Sequence, residues 1–263
     1  MRLGASGRLA LGSLLLALVL QSAAPGQSSV LNAQPSLNTD QVVSALVRHN
    51  QDRAAALKHY ESCRYYSVDY VGFPKNKSAT MVVDMAFDAP AQKQFHVVKQ
   101  EGSQILLDHV IRELIQNEKE ALDTPNLGRT DLTPQNYTFQ LVGKDTIGGQ
   151  PQYVLDVAPR FKSKFLYRGK IWVDAHDFAV TQVSAQPAKN PSFWISHTEI
   201  HHEYKKIGEF WLPAHNSSVT HVRFGGTARL SIDYRDYRIG DSSTAPAAFC
   251  DPGPAEVQLS QKR

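Results

Sequence analysis

The sequence predicts a mainly β domain of the α+β class, with many antiparallel strands and helices confined to the first half of the chain. Three observations predict it. Apolar residues alternate with a period of two in about ten separate segments, the mark of half-buried strands. The connections between these segments are too short for crossovers, so neighbouring strands pair as hairpins. A period of 3.6 occurs only twice, both times before residue 123. Ten Tyr and eleven Phe, with many Val and Ile, tilt the composition the same way.

The elements follow in order. Asn38-Thr39-Asp40 offers a helix N-cap, and Val42, Val43, Leu46, Val47, Ala54 and Leu57 recur at helical spacing, predicting an amphipathic helix over 40–58. From Tyr60 the period changes to two. Tyr66, Val68 and Tyr70 share one strand face, and a turn follows at 72–76. Ala79, Met81, Val83, Met85 and Phe87 then alternate with Thr80, Val82, Asp84 and Asp88. Pro90 breaks this strand, and Phe95 and Val97 continue the meander. Ser103 can cap a second helix, whose wide apolar stripe runs from Ile105 through Leu106, Val110 and Leu114 to Leu122. After a turn-rich stretch, hairpins follow at Gly148-Gly149, at 175–177, at Gly208 and at Gly225-Gly226. Strands of this number form a sandwich, a barrel or a strongly curved sheet.

Residues 1–26 differ from the rest. Arg2 and Arg8 precede an apolar run from Leu9 to Leu20 and a small-residue exit, a secretory signal pattern. The run is short for a bilayer span, and the alternative is an uncleaved anchor. No Cys lies near the exit, so the expected product is a soluble, exported, periplasmic protein. The expected organisation is a signal peptide at 1–26, a flexible lead at 27–38, one folded domain at 39–240 and a disordered tail at 241–263. Formal charge is +3, with no run of Lys or Arg, which argues against a nucleic-acid partner. Cys63 and Cys250 are an even pair, compatible with one disulfide or with two unpaired thiols.

Catalytic chemistry has few candidates. His197, Glu199 and His201 project from one strand face within metal-ligand chemistry, yet Glu203 and Lys205 continue that face, and a solvated outer face accounts for all five. No nucleophile elbow, phosphate loop or dinucleotide fingerprint is present. Asp174 and Asp177 flank a tight turn and suit turn chemistry. No catalytic residue, metal or cofactor is therefore expected. The loop ending in Phe193-Trp194 could anchor into the sheet or touch a membrane or partner.

The strings Phe87-Asp88-Ala89-Pro90-Ala91-Gln92-Lys93-Gln94-Phe95 and Leu166-Tyr167-Arg168-Gly169-Lys170-Ile171-Trp172-Val173-Asp174 stand within this order of signal, helix, meander, helix and hairpins. Together they resemble the outer-membrane lipoprotein carrier family, in the broad sense that includes LolA-like and RseB/MucB-like periplasmic proteins. The resemblance covers residues 40–240. It departs from the carriers at Lys93, where they typically have Arg, and in having two strong helices rather than three.

The resemblance implies an incomplete antiparallel β-barrel whose concave face is covered by helices and binds acyl chains of lipoproteins or lipids. The implied cavity residues are Met81, Val83, Met85, Phe87, Phe95, Leu106, Val110, Leu114, Leu230 and Ile232, with the second helix as a lid over Met81, Met85 and Phe87. The implied partners are acyl chains and the inner- and outer-membrane sorting proteins. The expected function is that of a carrier or chaperone toward the outer membrane. The alternative is a sensor of lipoproteins acting through a protein partner, and a metal-dependent hydrolase ranks behind both.

Overall fold

The computed structural model describes residues 37–251, apart from 124, 191–194, 224 and 241–248. The signal-like segment, nearly all of the lead, the Phe193-Trp194 pair and most of the tail lie outside the described residues. Among those described, no helix is long and apolar enough to cross a membrane.

Helix α1 spans Thr39–Ala56. It starts where the sequence places a cap. The Asn38 side chain accepts from the Gln41 N–H, and the Gln41 side chain accepts from the Asn38 N–H, each at 2.9 Å. A meander follows: β1 (His59–Val71), β2 (Lys77–Asp88) and β3 (Gln92–Gly102). Gly102 sits at φ 96°, where a Cβ would collide with the Ser78 carbonyl, so only glycine lets the chain turn away there. The second helical segment begins as α2 (Gln104–Leu106), widens to π winding over Leu107–Arg112 and closes as α3 (Glu113–Glu120).

Seven more strands complete the chain: β4 (Tyr137–Ile147), β5 (Gln150–Pro159), β6 (Tyr167–Asp174), β7 (Val180–Pro187), β8 (Ile195–Ile207), β9 (Phe210–Val222) and β10 (Thr227–Gly240). The turn between β6 and β7 is held by Asp174, whose Oδ1 accepts from the N–H groups of His176 and Asp177. The ten strands form one antiparallel sheet in the order β3-β2-β1-β10-β9-β8-β7-β6-β5-β4. It is not closed, since β3 and β4 are its edges.

Register ties the whole sheet together. One lateral row of partners runs Leu141, Leu155, Ile171, Val183, His202, Asn216, Ile232, Tyr66, Met81, Gln100 from edge to edge. Paired residues point to the same face, so this row marks a single face. Both helices pack on it. α1 buries Val42, Val43 and Leu46 against Leu155, Ile171 and Val183. The second helical segment buries Leu106, Leu107, Ile111 and Ile115 against Tyr66, Met81 and Ile232. Each such side chain contributes about 1.5–3 kcal/mol when fully buried.

The opposite face carries a smaller cluster. Cys63 and Cys250 are joined by a disulfide that packs with Val82 and Phe249. Val82, on the polar phase of β2 as read from sequence, is buried because the 249–251 segment lies over it. The Cys250 N–H also donates to Asp84 Oδ1 at 3.0 Å. The bridge spans 187 residues of sequence, and constraint of so long a loop in the unfolded chain is worth about 5 kcal/mol in the chain-entropy account.

Candidate ligand-binding cavity

Between the two helix-covered regions, α3 and strands β8, β9 and β10 border a partly open cavity of about 380 Å³. The volume lies within the range of small-molecule pockets. Leu114 and Ala121 come from the α3 side, Ile200 from β8, Leu230 and Ile232 from β10, and Phe165 from the loop between β5 and β6. The polar lining is Asn117, Glu118, Lys164, His202, Asn216 and Tyr234, with Thr130 and two serines of β9. The row of partners explains this mixture. Its stretches from Leu155 to Val183 and from Ile232 to Met81 are apolar and packed under helices, its central members His202 and Asn216 are polar, and Gln100 closes it on the exposed edge strand.

Three of the ten residues expected to line a cavity do so: Leu114, Leu230 and Ile232. Met81, Val83 and Leu106 are buried in the packed cluster beneath the second helical segment, with Val110 half-buried beside them. Met85 and Phe87 depart further from the expected arrangement. They belong to a separate cluster with Tyr60, Leu57, Leu212 and Phe210, away from Leu106 and Leu114. Alternation along β2 gave all five apolar residues the same face, correctly. It could not say that the helix crosses only the first half of that strand.

Phe95 holds a different post. Its ring lies against the Arg64 guanidinium, 5.1 Å from the centroid, and the Tyr234 ring makes the same contact at 5.1 Å. Arg64 is buried at 2% exposure and forms a bidentate pair with Glu118 of α3, at 2.6 and 3.1 Å. Lys93 of β3 adds a third charge at 2.6 Å from Glu118. Burial pulls the Glu118 carboxyl upward, but Arg64 and Lys93 outweigh it and hold the pKa at about 2. Burial likewise opposes the Arg64 charge, and Glu118 more than restores it. Arg64 Nε has no partner among the described residues. The second helical segment is thus latched to the sheet by a carboxylate that also forms cavity wall.

His202 faces the cavity. Burial lowers its pKa to about 4, with a further push from His201, so the imidazole is neutral at pH 7. Asn216 Nδ2 donates to Tyr234 Oη at 2.8 Å. Tyr234 itself titrates well above the usual phenol range, because burial disfavours the phenolate. These groups offer hydrogen bonds and no free charge.

The other histidines lie elsewhere. His197 pairs with Glu199 at 3.2 Å and stacks on His221, with ring centroids 6.3 Å apart, while Glu199 and His201 are exposed. Among the described residues they gather no third ligand around one point. The one metal-like grouping among the described residues, Cys63, Asp84 and Cys250, has both sulfurs in the disulfide.

No family model matches the sequence, and no curated protein matches it. Solved structures do. A domain of an outer membrane lipoprotein-sorting protein from Vibrio parahaemolyticus aligns at TM-score 0.41 and 13% identity, over 75% of this chain and 93% of that one. A DUF1329 family protein from Desulfovibrio piger aligns at TM-score 0.39 and 13% identity, over 76% and 92%. A LolA superfamily protein from Nitrosomonas europaea aligns at TM-score 0.37 and 11% identity, over 79% and 96%.

Sequence reasoning missed Ile200, His202, Asn216, Phe165 and the Arg64–Glu118 pair. For β8 the signal was present. Thr198, Ile200, His202 and Tyr204 form the phase opposite to His197, Glu199 and His201, and Ile200 and Tyr204 mark it as inward. His202 thereby leaves the wet face on which its neighbours stand. Nothing local marked Asn216 or Glu118, whose places follow from register and helix direction.

Proposed function

We propose that this chain binds acyl chains of lipoproteins or lipids in the periplasm and acts as a carrier or chaperone toward the outer membrane. The observation that carries this reading is the cavity between α3 and β8–β10, walled by Leu114, Phe165, Ile200, Leu230 and Ile232. On this reading the open sheet curves as an incomplete barrel, its concave side being the face to which both helices dock. Each methylene taken from water contributes about 0.8 kcal/mol without directional chemistry. The uncharged groups of His202, Asn216 and Tyr234 suit the ester or amide that joins such a chain to its head. None of them forms a nucleophile–base pair with another, which fits a binder and not an enzyme.

The Glu118 latch refines the expected lid. Lifting α3 would leave Arg64 buried without its anion, so we take α3 as a wall and place cargo exchange, with the sorting proteins as partners, beside the 160–166 loop.

The test is native mass spectrometry of the exported protein purified without detergent, with Leu230→Asp as the control. Lipid or lipopeptide adducts are expected on the parent and absent from the variant, with unchanged circular dichroism. A parent that carries no adduct and takes up no fluorescent acyl probe would overturn the reading.

A further inference from the structure

The antiparallel order brings six connections to one end of the strands, whose described residues are 72–76, 102–106, 121–123 with 125–136, 160–166, 188–190, and 223 with 225–226. This end differs from the other in charge. The six connections carry seven Lys or Arg (Lys75, Arg129, Arg160, Lys162, Lys164, Lys189 and Arg223) and two acidic residues, Asp123 and Asp131. At the opposite end, segments 88–92, 144–151, 174–180 and 205–210 carry three Lys and five Asp or Glu. Lys75, Lys162 and Lys189 are exposed at the cationic end and form no ion pair with a described residue.

The same end holds the most exposed large apolar side chains among the described residues. Phe73 is 80% exposed at the tip of the β1–β2 turn, Leu127 57%, Ile105 55% and Val71 49%. Leu127 belongs here because the neighbouring Gly128 carbonyl accepts from Asn136, one residue before β4. These groups sit on separate connections and do not form one groove. A protein partner needs a contiguous complementary patch. A bilayer interface accepts scattered apolar tips between cations, because lipids rearrange around each of them.

We propose that this cationic end docks on an anionic lipid surface, with Phe73 entering the headgroup boundary and Lys75, Lys162 and Lys189 facing lipid phosphates. The inference goes beyond ligand binding in the cavity and stands without it. The two are connected through one loop, since Lys164 and Phe165 of the cavity wall belong to the 160–166 segment of this end. Docking in this orientation sets that wall against the membrane.

Vesicle flotation with the full purified chain tests the proposal. The probes are vesicles of phosphatidylcholine alone and of phosphatidylcholine with phosphatidylglycerol. Partition is expected on the anionic vesicles only, and to weaken as salt rises. Phe73→Ser should weaken it about tenfold, the loss expected for one large apolar side chain. The pair Lys162→Glu with Lys189→Glu should abolish it. Each variant changes exposed groups, circular dichroism should match the parent for all of them, and acyl-probe uptake should match it for Phe73→Ser. Absence of partition, equal partition on neutral vesicles, or partition indifferent to both variants would overturn it. So would capture of the chain by an acidic protein without vesicle binding, which would assign this end to a protein partner.

Discussion

The two helix-covered regions of the sheet solve the same burial problem differently. Under α1, the face is closed mainly by apolar side chains: Val42, Val43 and Leu46 meet Leu155, Ile171, Val173 and Val183, while Arg53 reaches across to the carbonyls of Asp177 and Phe178 and Thr39 Oγ1 accepts from the Leu141 N–H. Under α2–α3 the packing is apolar near Met81 and gives way to charge at Arg64, Glu118 and Lys93, beside a cavity. Close-packed apolar contact leaves no room and tolerates no shift. A buried ion pair fixes one point of a helix and lets the groups around it stand apart. The difference teaches that the cavity at the centre of the sheet adjoins a point contact, whereas the hollows along α1, of about 200 and 300 Å³, lie against the 131–133 segment and the His176–Asp177 turn and leave its apolar contact with the sheet closed.

The largest effect should come from breaking that point. Glu118→Gln leaves Arg64 buried beside a neutral amide, and the loss of one partner of a buried pair costs about 3–5 kcal/mol. Urea unfolding should show it, and hydrogen exchange should show residues 113–120 losing protection ahead of α1. Equal loss in both helices would mean that the regions are not separately secured.

Leu46→Ala in α1 should cost about 3 kcal/mol, the usual range for a fully buried leucine. Acyl-probe uptake should stay at the parent's level in the folded variant, because the cavity shares no wall with α1. A parallel loss of uptake would join the two regions into one unit.

Acid should act on the cavity region. The folded pKa of His202 is about 4, below the reference value of 6.5. The unfolded chain therefore takes up the proton first. Stability present above pH 6.5 is lost as pH falls from 6.5 to 4, by about 3 kcal/mol. Glu118 adds a second loss between 4.5 and about 2, since its folded pKa is also depressed. Stability measured against pH should show the upper step, and His202→Gln should remove it while leaving the lower one.

The smallest effect belongs to the histidines outside the cavity. His197→Ala with His201→Ala should change stability by less than about 0.5 kcal/mol, as exposed substitutions do. Acyl-probe uptake should not change. Reduced uptake would show that the outer face of β8 communicates with the inner one.

Much of this molecule was set locally. The capping box at Asn38, the alternation in β2, the breaks at Pro90 and Gly148-Gly149 and the Asp174 turn all act within a few residues, and such patterns are legible because backbone preference and side-chain period are short-range properties. Ten strands, their antiparallel sense and two helical segments follow from them. Tertiary structure decided the rest. Which half of β2 lies beneath a helix depends on the angle at which that helix crosses, set by contacts between residues far apart in the chain. That angle placed Met85 and Phe87 in another cluster. Register across β7, β8, β9 and β10 set His202 and Asn216 side by side between two apolar stretches of one row, and helix direction brought Glu118 to Arg64, 54 positions away. A polar residue in a sequence reads as wet by default. Only the partners that folding supplies make it a latch or a cavity wall.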